Sequence, residues 1–462
     1  MAAGEFIDVT SPYSGETVGR VPRSGANETR AALDAAAQAL RDPLPAHRRA
    51  AILDDVARLL DERRDEAASL ICAEAGKPLK TARVEAERAA STYRFAAVEA
   101  RRLTGEMVPM DASAAGAGKL GFTIRLPIGI IGAISPFNFP LNLVAHKIAP
   151  ALAAGCPVVL KPATATPLSA AFLARLEEEA GLPAGWLHVV TGPSAEIGDV
   201  LVEDERVKLI TFTGSAEVGW GIAARAARKR VKLELGNATP LIVDSSADID
   251  AAAAAIAANA FSFAGQSCIS IQRVYALASV YEELCAKLVP RVEALVAGDP
   301  ADPATDVGPV ITEGDRTRIL DLIHESGGEI LTGGDTTADG LIRPTVIARP
   351  ATESQVECDE VFGPVCSVSP VATLDEAIGR ANATRYGLQA GIFTADISAA
   401  LQAAAELEFG GVIVNEAPTF RADQMPYGGL KDSGNTKEGP AWTVREMTEE
   451  RLVVIRSERR SG

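Results

Sequence analysis

Cys268 lies in the run Ala264-Gly265-Gln266-Ser267-Cys268-Ile269-Ser270. Small residues leave backbone N–H groups accessible and give a ligand room to approach. A thiolate in such a loop is a nucleophile. The plain alternative is a buried structural cysteine, because free cysteine is among the most buried residue types. Three other segments turn the reading toward chemistry: Pro136-Phe137-Asn138-Phe139-Pro140, Thr211-Phe212-Thr213-Gly214-Ser215 and Glu234-Leu235-Gly236-Asn237.

Asn138 follows an apolar strand over 129–134 and sits in a turn between two prolines. A side-chain amide fixed there can donate to a developing oxyanion; a turn-forming asparagine has the same look. Glu234 follows Val231-Lys232-Leu233 at a candidate domain junction. A carboxylate entering a partly apolar cleft has its pKa raised and becomes a general base, whereas a hinge salt bridge is the bland counterpart. Lys161 closes the strand Val158-Val159-Leu160 just before Pro162, where it reaches a ribose or phosphate or is simply solvated. Gly214-Ser215 opens a helix directly after a strand. The free N–H groups of such a helix start attract pyrophosphate, although Ser215 also suits an ordinary N-cap.

These residues need elements to hold them. Residues 26–104 read as helical, with apolar positions at helical spacing through 50–60 and 84–100. Short apolar strands then alternate with helices: Val158-Val159-Leu160, His188-Val189-Val190, Lys208-Leu209-Ile210-Thr211-Phe212 and Leu241-Ile242-Val243. One helix opens near Leu168, and another runs from Gly214 to about Lys229. A second alternating block runs from Arg273-Val274-Tyr275 through Pro344-Thr345-Val346-Ile347 and Gly391-Ile392-Phe393 to Gly411-Val412-Ile413-Val414. The alternation predicts parallel βαβ units in two α/β domains meeting near Gly236. Two isolated strands, Phe122-Thr123-Ile124-Arg125-Leu126 and Arg451-Leu452-Val453-Val454-Ile455, fit neither block and predict a ribbon with an exposed edge. Gly116-Ala117-Gly118-Lys119-Leu120-Gly121 matches G-x-G-x-x-G, but it precedes a strand instead of opening a helix, so it reads as a turn.

The chain has 462 residues, 47% hydrophobic and 23% charged, with a net charge of −16. That length exceeds one core. The charge disfavours a nucleic-acid or anionic-membrane surface. No basic flank precedes an apolar stretch at Met1-Ala2-Ala3-Gly4-Glu5-Phe6, and no apolar run reaches the ~20 residues of a span. Cys72, Cys156, Cys268, Cys285, Cys358 and Cys366 show no CxxC spacing, which predicts a reduced, cytoplasmic protein. His47, His146, His188 and His324 are too scattered for a histidine metal site, so no metal is expected.

With Glu360-Val361-Phe362-Gly363-Pro364 and the downstream run Pro426-Tyr427-Gly428-Gly429-Leu430-Lys431-Asp432-Ser433-Gly434, the chain resembles the aldehyde dehydrogenase superfamily. Five separated motifs stand in that family's order, and the resemblance covers nearly the whole chain. It implies two Rossmann-like α/β domains, one binding NAD or NADP over 1–112 and 128–235, the other catalytic over 236–430. A small β-ribbon oligomerisation element would span 113–127 and 431–462, giving a homodimer or homotetramer. By the same resemblance Cys268 is the nucleophile, Asn138 the oxyanion-hole side chain and Glu234 the general base. Cofactor positions would be Ile134, Ser135, Pro136, Lys161, Ala163, Thr164, Gly192, Phe212, Gly214, Ser215, Val218, Leu235 and Gly236, with Glu360 and Phe362 at the nicotinamide ribose and ring. The implied reaction oxidises an aldehyde to its acid through a thiohemiacetal and a thioester. An acylating or acyl-phosphate-reducing enzyme of the same fold, or a non-catalytic binding protein, is the competing reading.

Thr164 stands where NAD-selective relatives carry an acidic residue, which removes repulsion against a 2′-phosphate, so NADP is expected to be tolerated or preferred. Asn237 departs from the usual Glu-Leu-Gly-Gly. The stretch 141–154 resembles the branch acting on small polar aldehydes of the lactaldehyde, succinate semialdehyde and phosphonoacetaldehyde type. Arg88, Phe139, Ser267 and Arg421 are its candidate substrate residues. Two guanidinium groups would favour an anionic tail, or each is an ordinary ion-pair residue. Phosphonate-specific relatives carry basic residues where this chain has Phe139 and Ser267.

Overall fold

The computed structural model describes residues 5–226 and 228–456. Residues 1–4 of the opening run, residue 227 within the helix expected to reach about Lys229, and residues 457–462 of the bridging segment lie outside the described residues.

The predicted helical region is four helices, Ala26–Ala39, Ala46–Glu62, Arg64–Ala75 and Leu79–Arg102. The last buries an alanine stripe broken by Tyr93, at the three- and four-residue spacing a core-facing helix requires. A hairpin, Phe6–Thr10 with Thr17–Pro22, precedes them and was not legible in the sequence.

A five-stranded parallel sheet follows, in the order Leu187–Val189, Val158–Lys161, Ile130–Ile134, Val207–Thr213, Arg230–Glu234. The chain builds outward from Ile130–Ile134 in one direction and then the other. The strand order therefore reverses between Ile130–Ile134 and Val207–Thr213, and the crevice at their carboxyl ends is where open α/β sheets bind ligands. The helix after Val207–Thr213 is Ala216–Arg225, shorter than the sequence reading.

A seven-stranded sheet holds the second block: Glu329–Thr332, Thr345–Ala348, Val365–Val371, Ile271–Leu277, Thr239–Val243, Gln389–Phe393, Gly411–Val414. All neighbours are parallel except Glu329–Thr332, an antiparallel edge. Leu235 to Ala238 carry the chain from one sheet to the other.

The two isolated strands pair with each other. Thr448–Arg456 runs antiparallel to Lys119–Pro127, with Arg451 opposite Ile124 and Val453 opposite Phe122. Met107–Val108 adds a third strand, so this sheet begins before residue 113. Among the described residues no helix is long and apolar enough to cross a membrane.

Candidate active site

The five-stranded sheet delivers its residues at strand ends. Ile134 closes one strand, and Ser135 follows it, buried, with its Oγ lacking a protein partner. Pro136 leads into Asn138, whose Nδ2 donates to the Gln266 carbonyl at 3.0 Å. That bond ties the first sheet's loop to the loop of Cys268. Lys161 is buried, its Nζ donating to the Pro162 carbonyl at 2.9 Å and reaching Thr164 Oγ1 at 3.5 Å. Burial lowers the Lys161 pKa to about 8. Thr164 Oγ1 in turn donates to the Gly192 carbonyl, and Ala163 lies half-buried between Pro162 and Thr164. Phe212 packs under Gly214, where a Cβ would sit 2.6 Å from its ring. Ser215 occupies the N-cap position but its side chain caps nothing, and Val218 is exposed on the first turn.

Glu234 ends the last strand of that sheet. It is buried and neither carboxylate oxygen has a partner. Burial, reinforced by the Glu438 charge, raises its pKa well above the ordinary range. Leu235 is buried, and Gly236 lies against Glu360: a Cβ there would be 2.5 Å from the Glu360 carboxylate. Burial raises Glu360 to about 7 despite the Asn237 N–H it accepts at 3.0 Å. The Asn237 side chain points away from the cleft, binding Thr239 Oγ1 at 2.8 Å and the Gln389 carbonyl at 3.0 Å. The departure from Glu-Leu-Gly-Gly thus braces the second sheet. Phe362 meets Phe137 edge to face at 5.8 Å.

The seven-stranded sheet delivers its residues before its strands. Cys268 precedes Ile271–Leu277 in a loop where Phe263, Ala264 and Gly265 have φ of 50°, 52° and 68°. Cys268 Sγ lies 3.0 Å from Tyr427 Oη. Burial pushes the thiol up to about 12, against the opposing pull of Tyr427 and Arg421.

Cys268 shares a cavity of about 210 Å³ with all four candidate substrate residues, Arg88, Phe139, Ser267 and Arg421. Lys77 lies over the Phe139 ring and pairs with Glu85. Glu85 also accepts the N–H groups of Leu141 and Asn142, which cap the wholly buried helix Asn142–Ala154. Arg88 pairs with Asp423 at 2.9 Å and Arg421 with Glu438 at 2.8 Å. Each arginine keeps a buried Nε without a partner. Each arginine therefore both lines the cavity and forms an ion pair.

The sequence reading gave no role to four residues that complete this cluster. Lys147 donates to Thr211 Oγ1 and Thr213 Oγ1 at 3.1 and 2.7 Å and lies 3.7 Å from Glu438. Burial pushes Glu438 up, yet Lys147 and Arg421 overcome it and hold the carboxyl at about 2. His146 contacts Asp423 at 3.2 Å, and burial lowers its pKa. Tyr427 carries the Arg421 guanidinium 3.9 Å from its ring centre. A lysine inside the apolar run Leu143-Val144-Ala145-His146-Lys147-Ile148 was a visible signal, because a buried charge needs a partner. Glu438 carried none.

The Aldehyde dehydrogenase family model matches residues 1–453. The chain belongs to the aldehyde dehydrogenase family. A curated relative, 3-sulfolactaldehyde dehydrogenase of Priestia aryabhattai, is 42% identical over 455 residues, 98% of this chain and 95% of that one. Aldehyde dehydrogenase 21 of Physcomitrella patens, solved with the reaction product succinate, superposes with a TM-score of 0.95 at 40% identity, covering 99% and 96% of the two chains. Glyceraldehyde-3-phosphate dehydrogenase of Methanocaldococcus jannaschii, solved with NADP, superposes with a TM-score of 0.94 at 36% identity, covering 99% and 100%.

This aldehyde dehydrogenase catalyses the NAD(P)-dependent oxidation of a small aldehyde. Its own residues fit such a dinucleotide. The Ser135 hydroxyl has no protein partner, no side chain caps the helix start at Ser215, and Lys161 is buried at its strand end. Ser215 also borders an open groove with Trp220, Glu360, Tyr386 and Asp432.

Proposed function

We propose that this aldehyde dehydrogenase takes a short aldehyde with an anionic group at its far end, a carboxylate or a sulfonate, and tolerates or prefers NADP. One observation carries the reading: Arg88 and Arg421 line the Cys268 cavity, and each keeps a buried N–H donor without a protein partner. The charged lining of that cavity is Lys77, Arg88 and Arg421 with Glu85, and Asp423 and Glu438 pair with the two arginines. The names of the sulfolactaldehyde-oxidising relative and the succinate-bound neighbour support the same chemistry. Phe139 and Ser267, both uncharged, disfavour a phosphonate.

In this reading Cys268 attacks the aldehyde carbon. An amide carries two donors; Asn138 spends one on Gln266 and offers the other to the oxyanion, together with the Cys268 backbone N–H. Ser135, Lys161, Thr164, Gly214 and Ser215 hold the dinucleotide, and Glu360 its nicotinamide ribose. The chemistry the nicotinamide supplies when bound is that of a hydride acceptor. Glu234 takes a proton from the water that releases the acid from the Cys268 thioester. Its unpartnered oxygens suit that task and disfavour an acylating enzyme without a base. Thr164, in contact with the Gly192 carbonyl, brings no negative charge to the 2′ position, which supports NADP.

The division into 1–112 with 128–235 for the cofactor, 236–430 for catalysis and 113–127 with 431–462 for bridging belongs to the same reading. So does a homo-oligomer: Thr448–Arg456 is an outer strand with Leu452, Val454 and Ile455 exposed. Six free thiols fit a reducing, cytoplasmic setting.

The test of the substrate reading compares aldehydes of equal length with and without a distal carboxylate or sulfonate. A charge-assisted hydrogen bond is worth about 1.5–3 kcal/mol, so kcat/KM should favour the anion by about tenfold or more. Arg88→Leu should remove most of that preference and spare the neutral aldehyde. A neutral aldehyde preferred by the wild type, or equal harm to both substrates, overturns the reading.

A further inference from the structure

We propose that Tyr427 is a further catalytic residue, donating a hydrogen bond from its phenol to the Cys268 sulfur and so favouring the reactive thiolate. The inference rests on Cys268 being the nucleophile. Tyr427 Oη lies 3.0 Å from Cys268 Sγ, well inside the range of a bond to sulfur. The ring is buried and lines the substrate cavity beside the thiol. It packs with Ile269 and Leu388 in a small apolar cluster that Cys268 and Met425 complete.

The segment that carries the phenol is held at three points. The Tyr427 N–H donates to the Glu438 carbonyl at 3.1 Å. The Arg421 guanidinium lies 3.9 Å above the ring centre and is itself fixed by Glu438 at 2.8 Å. Gly428, the next residue, abuts Glu234: a Cβ there would lie 2.7 Å from the carboxylate and overlap the Thr436 carbonyl. A single two-residue strap therefore touches the nucleophile through its side chain and the candidate base through its backbone.

The direction of the bond follows from the charges around it. Glu360 and Glu234 face the sulfur and disfavour a thiolate, and burial disfavours it more; Arg421 and the Tyr427 hydroxyl favour it. The phenol faces Cys268, Arg421 and Glu234, and burial raises its own pKa well above 10. Tyr427 therefore keeps its proton throughout and acts as a donor, not a base. A hydrogen bond to a charged acceptor is about twice as strong as one to a neutral acceptor. The contact is thus strongest when the sulfur is a thiolate, before attack and again as it leaves the acyl group, and weak in the thioester. The Arg421 cation over the ring makes the O–H a better donor. The same arginine lines the Cys268 cavity.

The experiment follows iodoacetamide alkylation of the Cys268 peptide by mass spectrometry between pH 7 and 10, with cofactor binding and thermal melting as controls on folding. Tyr427→Phe should move the profile about one unit to higher pH, slow alkylation at pH 7.5 by about tenfold and lower kcat/KM for a tail-free aldehyde by a similar factor. Replacing Tyr427 with 3-fluorotyrosine, a more acidic donor of nearly the same shape, should move the profile to lower pH. A Phe variant whose profile coincides with wild type overturns the proposal, as does a fluorotyrosine variant that shifts upward. Cys268→Ala separates the two readings. If it keeps turnover, the nucleophile assignment falls; if it does not, and the Tyr427 profiles do not move, only the tyrosine inference falls.

Discussion

The two sheets feed the site from opposite ends and by different means. The five-stranded sheet presents carboxyl ends, at Ile134, Lys161, Thr213 and Glu234, and none of residues 134–138, 161–164, 213–216 or 234–238 has a positive φ. The seven-stranded sheet presents amino ends, and its approach loops carry positive φ at Phe263, Ala264, Gly265 and Phe362. The first edge needs only strands of the right length and a reversal in strand order. The second needs backbone held where side chains are strained, by about 1–3 kcal/mol per residue, and therefore depends on what it packs against. On the proposed reading the regular edge holds most of the cofactor with many weak contacts, while the strained edge holds the sulfur and the Glu360–Phe362 loop.

The harshest way to test that contrast removes the atom itself. Cys268→Ala should abolish turnover and leave the dissociation constant for NADP within about twofold, read by tryptophan fluorescence, because the proposed dinucleotide contacts, Glu360 and Phe362 apart, belong to the other edge and none is the thiol itself. A variant that loses cofactor binding would show the two edges are not separable. Glu234→Gln comes next. General-base catalysis is worth about 10²–10⁴-fold, and only the water step should suffer by that factor. A burst of reduced cofactor followed by a slow steady state is the expected trace. Equal slowing of both phases would remove Glu234 from the base role. Because burial and Glu438 raise its pKa, the steady-state rate should fall with decreasing pH at a point above the ordinary carboxylate range.

Two glycines place the contrast on a finer scale. At Gly265 φ is +68°, and a Cβ would overlap the Gly363 carbonyl, backbone that cannot step aside without moving the Glu360–Phe362 loop. Gly265→Ala should lower kcat by about a hundredfold, the effect of a displacement on the order of 1 Å at the nucleophile. At Gly214 the Cβ would meet only the far end of the Phe212 ring. Gly214→Ala should raise the NADP KM by less than about tenfold and spare kcat. If the two alanines behave alike, the edges do not differ as argued.

The same contrast decides what the sequence revealed. Strand-end residues of the regular edge were legible because periodic strands announce where they stop: Lys161 before Pro162, Gly214 after Phe212, Glu234 after Leu233. The ribbon strands were legible as alternating runs with no neighbour, and they pair as expected. The loop of Cys268 was legible as composition, but its three positive φ values include Phe263 and Ala264, which no local rule assigns to that conformation. The charged cluster was the least legible. Arg88 and His146 lie 335 and 277 residues from Asp423, and only folding brings them to it; Arg421 meets Glu438 across a loop of 17 residues that no periodicity marks. The Phe6–Thr10 hairpin was missed because its run Phe6-Ile7-Asp8-Val9-Thr10 is short and begins beside a polar glutamate.

The smallest effect is expected at Lys161, and it probes the regular edge alone. Its ammonium is buried and bonded to a carbonyl and a hydroxyl. Burial sets its pKa at about 8, so it is charged below that pH and neutral above it. A charged donor holds ribose oxygens or a phosphate more tightly than a neutral amine does. Affinity for the dinucleotide should therefore be constant up to about pH 7 and weaken as pH rises through 8, by about tenfold at most over two units. Lys161→Met should weaken binding at pH 7 and flatten the profile between 7 and 9. Binding is the readout because turnover over this range also reports Glu234. A wild-type affinity that stays level to pH 9 would mean that Lys161 only fills space at the strand end, and the regular edge would then hold its ligand through backbone N–H groups and hydroxyls without a charge.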